Sequence, residues 1–167
     1  MVGKSTIAEA EADAFASLEP IKDSVSQSWH PDLNPTQQKI FDDSSRFVLG
    51  YGEKGSRITI GFGHKVIRHA YENDNALVMI LSPSIRTGAE GIWHDLETLV
   101  IPSWTEGIGL ESSNAKLDPN TKDRHRWIGN RHGGWSKLLL ISIPYAAAVE
   151  TRIKGPAPSM IYVDELT

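Results

Sequence analysis

The residues with the most chemistry to offer stand near the end of the chain. Four apolar residues, Met160-Ile161-Tyr162-Val163, run straight into Asp164-Glu165. Such a run reads as a buried strand, and two adjacent carboxylates at its tip are costly to hold unless a positive group sits with them. One carboxylate of such a pair can hold a divalent cation through water while its neighbour polarises an attacking water molecule. The same residues also fit a strand with a plain solvated exit. The pair therefore gains meaning only beside something that binds anions.

A candidate partner is the stretch Gly50-Tyr51-Gly52-Glu53-Lys54-Gly55, which follows the short apolar run Arg46-Phe47-Val48-Leu49. A strand entering a glycine-rich loop that opens a helix turns backbone N–H groups toward phosphate oxygens at the helix N-terminus. Read from Gly52, the residues Gly52-Glu53-Lys54-Gly55-Ser56-Arg57-Ile58-Thr59 follow the spacing G-x-x-x-x-G-K-[ST] at the first glycine and at the threonine. Two positions depart from it: Arg57 stands where glycine is expected and Ile58 where lysine is expected. Isoleucine carries no charge to the β- and γ-phosphates, and a non-glycine residue at position 57 is expected to fit poorly the backbone conformation the loop needs there. Lys54 inside the loop, or Arg57 from its other side, can supply positive charge instead.

Gly50, Gly52 and Gly55 also match G-x-G-x-x-G. A dinucleotide-binding reading wants an acidic residue about 20 positions on, at the end of the second strand, and Ser82-Pro83-Ser84 stands there. A kinase reading lacks its catalytic and metal-binding segments. Gly3-Lys4-Ser5-Thr6 looks like the end of a phosphate loop but has no strand or glycine before it, and is set aside.

The elements that must position these residues follow from apolar spacing. Asp32, Asn34 and Pro35 make a turn, and residues 36–41 predict a short helix with Pro35 at its first turn. Ile60, Val66, Ile67 and Ala70 recur at helical spacing and predict a helix over 59–71. Residues 76–81 form an unbroken apolar run, the pattern of a strand covered on both faces. Ile92, Trp93, Leu96, Leu99 and Val100 predict a helix that Pro102 ends. Strand-like pieces at 127–128 and 138–143 lie among turns, and further helices are expected at 5–18 and 146–153. This order predicts an α/β fold of three layers around a parallel sheet, with residues 1–32 a helical or flexible segment ahead of a domain over 33–167.

Composition narrows the function classes. With 167 residues the chain fits one domain, and 40% apolar with 23% charged residues is ordinary for a soluble globular protein. A net charge of −4 argues against a broad nucleic-acid-coating surface while leaving room for a local contact. The absence of cysteine excludes disulfides, a thiolate nucleophile and cysteine zinc sites. No apolar run nears the roughly 20 residues of a membrane span, and the acidic first residues do not form a signal peptide, so an intracellular protein that is not secreted is expected. Lys122, Arg124, His125, Arg126, Arg131 and His132 could touch a phosphate backbone, though a solvated hairpin is the plainer reading. His64 and His69 read as surface residues of the 59–71 helix.

Taken in order, these segments resemble the N-terminal ATPase region of the terminase large subunits, the DNA-packaging motors of tailed viruses. The resemblance covers roughly residues 33–167 and is carried by Leu33-Asn34-Pro35-Thr36-Gln37, by Arg46-Phe47-Val48-Leu49-Gly50 leading into the loop, and by Arg152-Ile153-Lys154-Gly155 shortly before Ile161-Tyr162-Val163-Asp164-Glu165. It implies a P-loop NTPase fold that stops after the Walker B-type strand, with ATP and Mg²⁺ as cofactors. Gln37 would contact adenine. Residues 52–59 would cradle the phosphates, with Lys54 aimed at them, Thr59 and Asp164 would hold Mg²⁺, and Glu165 would activate water. Double-stranded DNA, a portal, a small terminase subunit and a ring of like subunits are the implied partners. The resemblance further implies a fragment, without the coupling motif and nuclease domain that follow in the family. The altered loop keeps open a second reading, an inactive remnant that retains the fold and binds nucleotide or a partner.

Overall fold

In the computed structural model the described residues are 29–45, 48, 50, 57–119, 123–143 and 157–164. The helices expected at 5–18 and 146–153, most of the strand expected at 46–49, and loop residues 51–56 lie outside them.

Asn34 starts helix α1 (Pro35–Asp42). Its Oδ1 accepts from the backbone N–H groups of Thr36 and Gln37, and the Gln37 side chain returns the bond by accepting from the Asn34 N–H at 2.9 Å. This reciprocal cap, with proline pre-set at the first helical position, fixes where the helix begins. Helix α2 (Ile58–Glu72) is a poor helix by propensity, with Gly61 and Gly63 in its interior. The two glycines cost about 2 kcal/mol relative to alanine. Burying Phe62, Val66 and Ile67 contributes about 1.5–3 kcal/mol each, so packing wins. Lys65 donates to the carbonyls of Ile40 and Asp43, and Arg68 donates to that of Phe41, so α2 satisfies the open end of α1.

Strand β1 (Leu77–Ser82) follows, and then α3 (Ile85–Glu90), capped by the Ser84 hydroxyl accepting from Thr87 N. Next, α4 (Ile92–Asp95) continues through one π turn (Leu96–Val100) into α5 (Ile101–Ile108). Pro102 therefore does not end the helix, contrary to the sequence expectation. The wide turn lets Ile101 N bond Leu96 O, so the proline enters at the start of the next helical segment, where its missing N–H does least harm. The extra residue also turns Ile101 and Trp104 into the core and leaves Leu99 exposed.

Strands β2 (Lys116–Leu117), β3 (Arg124–Gly129), β4 (Trp135–Ser142) and β5 (Met160–Val163) complete a five-stranded sheet in the order β2-β3-β4-β1-β5. The fold is α/β as expected, but the sheet is mixed rather than parallel. β1 runs parallel to both β4 and β5, while β3 is antiparallel to β4 and β2 to β3. The reason is the tight link at residues 130–134, where Asn130 Oδ1 accepts from His132 N and Gly134 N and closes a hairpin.

Among the described residues the helices cover one face of the sheet. Val78, Ile80, Ile128, Leu138 and Leu140 meet Phe41, Val66, Ile67, Trp93, Leu96 and Trp104 there. The opposite face carries Met79, Leu81 and Ile141. No helix among the described residues is long and apolar enough to cross a membrane.

His64 is a core residue and not the surface residue expected. It is 4% exposed, and its Nδ1 accepts from Trp104 Nε1 at 3.0 Å. Trp104 also packs edge-on to Trp29 and against Tyr71. Burial lowers the His64 pKa from 6.5 to about 4, because a charged imidazole would lose its hydration there and the accepting nitrogen would become a donor. His69 is half-exposed, with its Nε2 3.0 Å from Ser159 Oγ.

Candidate functional site

Three parallel strands end side by side, at Ser142 on β4, Ser82 on β1 and Asp164 after β5. In open α/β sheets the crevice beyond such carboxyl ends is where ligands bind. Ser82 is buried with its hydroxyl unpaired among the described residues. Asp164 is 7% exposed, its N–H donates to Leu81 O at 2.8 Å, and its Oδ1 accepts from the Tyr162 hydroxyl at 3.0 Å. On its other side the chain comes close at Gly91, where a Cβ would lie 3.2 Å from Asp164 Oδ2.

Helix α2 lies antiparallel along β5. Phe62 packs on Tyr162 with ring centroids 5.2 Å apart, and His69 reaches Ser159 at the strand's start. From Phe62 back to Thr59 the helix rises roughly 4.5 Å, and from Tyr162 to Asp164 the strand advances roughly 6.6 Å. Thr59, at the second position of α2, and Asp164 are thus level at one end of the sheet. Gly50 also lies against α2. A Cβ at Gly50 would come within 2.6 Å of Phe62 Cε2 and 3.0 Å of Ile58 Cγ2, so the approach depends on glycine.

Arg57 occupies the N-cap of α2 with φ 53° and ψ 31°, the left-handed region. This is the position where the loop pattern expected from the sequence has glycine, the residue that most readily adopts this conformation. The Arg57 carbonyl accepts from Gln37 Nε2 at 3.0 Å. A left-handed residue with a Cβ costs about 1–2 kcal/mol, so Arg57→Gly is expected to raise stability by about 1 kcal/mol. Urea unfolding checks this, and an unchanged or lowered midpoint would show that the strain is relieved in some other way.

Of the other residues singled out in the sequence, Gly52, Glu53, Lys54, Gly55, Ser56 and Glu165 lie outside the described residues. Ile58 turns its side chain onto Gly50. Gln37 is buried and spans the α1 cap and the Arg57 carbonyl, so it ties the Asn34-Pro35 segment to the start of α2. Lys122 lies outside the described residues, and the other members of the basic cluster do not share one surface. Strand alternation sends Arg124 and Arg126 toward the helix-covered face, where Arg126 meets Glu97 at 3.7 Å and the Ser112 hydroxyl, and sends His125 to the other face. Arg131 and His132 belong to the hairpin link, which docks on the end of α2 through Arg131 N and Tyr71 O.

Three neighbours of the site went unread in the sequence. Tyr162 was legible, since a residue two before Asp164 on a strand shares its face. Gly91 and Asp95 were not, because only tertiary packing brings α4 here. Burial pushes the Asp95 carboxyl above its usual range, opposed by His94 and Arg57, which places Asp95 within electrostatic reach of the loop's last residues.

Among the described residues no group of three or more His, Cys, Asp or Glu side chains is arranged to hold a metal ion. Mg²⁺ that arrives with a nucleotide keeps several waters and takes other oxygens from phosphate, so such an ion asks for few protein ligands. No known family profile matches this chain, and no curated protein or solved structure is detectably similar to it.

Proposed function

We propose that this chain is the ATP-binding core of a DNA-packaging ATPase of the terminase large-subunit type, with the nucleotide at the carboxyl end of β1 and β5. The observation that carries the reading is the alignment of α2 with β5, which sets the helix start and Asp164 at the same end of the sheet. The left-handed backbone at Arg57 supports it, because that conformation belongs to the glycine of a phosphate loop.

In this reading the backbone N–H groups of residues 52–59 and the start of α2 hold the phosphates. Lys54 supplies charge from within the loop, and Thr59 and Asp164 hold Mg²⁺. The ion would neutralise charge developing on the γ-phosphate. Glu165 orients and polarises the attacking water. The second amide hydrogen and spare lone pair of Gln37 are what it has left to offer an adenine edge. Catalysis of this kind is positioning and charge neutralisation, with little covalent chemistry by the protein. Double-stranded DNA, a portal, a small subunit and a homo-oligomeric ring belong to the same proposal.

A specific observation favours a second reading, in which the chain binds nucleotide without turning it over. Ile58 packs on Gly50 where a lysine would reach the phosphates. Phosphate release and nucleotide binding separate the two. Turnover by the native chain that disappears in Glu165→Gln supports the motor, whereas Mg²⁺-dependent binding with no turnover supports the remnant. Binding that ignores both Mg²⁺ and Asp164→Asn would remove the site from this end of the sheet.

A further inference from the structure

We propose that Tyr162 is a positioning residue for Asp164, selecting the one orientation in which its carboxylate serves a Mg²⁺–nucleotide; this rests on the ATPase reading above. An aspartate at a strand tip has several staggered orientations open to it, and the Tyr162 hydroxyl is one contact that bears on the choice. The Tyr162 hydroxyl donates to Oδ1 at 3.0 Å, a charge-assisted bond while the carboxylate is ionised. Gly91 leaves room beside Oδ2, since a side chain there would come within 3.2 Å of it. Tyr162 is itself held, because its ring packs on Phe62 in the first turns of α2 and Phe62 also abuts Gly50. The hydroxyl that fixes the acid is therefore seated on the helix that would bind the phosphates.

Outer partners of a metal-holding group are typically worth about 10- to 100-fold in metal affinity. Tyr162→Phe keeps the ring and its packing on Phe62 and removes only the hydroxyl. The experiment titrates Mg²⁺ against the fluorescent nucleotide mant-ATP on the whole chain, comparing native, Tyr162→Phe and Asp164→Asn proteins, with affinity in EDTA as reference. The expected result is a Mg²⁺ midpoint about tenfold higher in Tyr162→Phe, an unchanged affinity in EDTA, and no Mg²⁺ response in Asp164→Asn. A merely structural role would shift the EDTA affinity and the thermal midpoint and leave the Mg²⁺ midpoint in place. If Tyr162→Phe titrates like the native chain while Asp164→Asn loses the response, the role of Tyr162 is overturned and the ATPase reading stands. If the native chain shows no Mg²⁺ response, both fall together.

Discussion

Arg57→Gly combined with Ile58→Lys is expected to raise Mg²⁺-dependent ATP turnover about a hundredfold above the native chain, the usual scale for one well-placed group stabilising transition-state charge. Each half of the change answers a separate observation. Glycine relieves a backbone already held at φ 53°, so it asks for no rearrangement. Lysine at position 58 exchanges an apolar contact with Gly50 for a charge at the first position of α2, where a long flexible stem can reach past the helix start toward the β- and γ-phosphates. Loss of the Ile58 contact costs about 1 kcal/mol, roughly what the glycine returns, so the double variant should unfold near the native midpoint. Phosphate release at saturating ATP measures the gain, and Glu165→Gln in the double variant should erase it. A stable double variant that binds no nucleotide would show that residues 52–59 are not a phosphate loop.

Acidification is expected to cost about 3 kcal/mol of folding stability between pH 6.5 and about 4, through His64 alone. Below pH 6.5 the unfolded chain takes up a proton that the folded chain refuses until about pH 4. The stabilisation is complete above pH 6.5 and shrinks as the pH falls through this window. Structurally, Trp104 donates to Nδ1, and a protonated ring would set one N–H against another inside the core. Urea midpoints measured from pH 7.5 to 4 should fall steeply in the native protein. They should fall less in His64→Gln, whose amide oxygen can still accept from the indole. Equal slopes in the two proteins would mean that other groups govern the acid limb.

Much of the frame was legible because local chemistry and tertiary packing agree there. Pro35 ahead of residues 36–41 announces a short helix, and the run into β1 announces a strand covered on both faces. The strand leading to Asp164 was legible for the same reason. The reading failed where distant packing decides. By the local rule Pro102 is a stop, yet one π turn and the burial of Trp104 carry the helix past it. Local spacing leaves His64 exposed, because its partner lies forty residues away on another helix. The antiparallel part of the sheet hid behind weak strands, since β3 sets Arg124-His125-Arg126 ahead of Trp127 and Ile128, a pattern that spacing alone does not distinguish from a loop.

The place of β5 sets the order in which the protein assembles. The β3–β4 hairpin closes through a short link and can form locally, whereas β5 must find β1 across about half of the sequence, with Met160 opposite Val78. Loop closure makes such a distant pairing a late step. As the chain emerges during synthesis, the helices and β1 can collapse while the final strand is still inside the ribosome. The acid at its tip then docks onto a framework that already exists, so the site comes into being last.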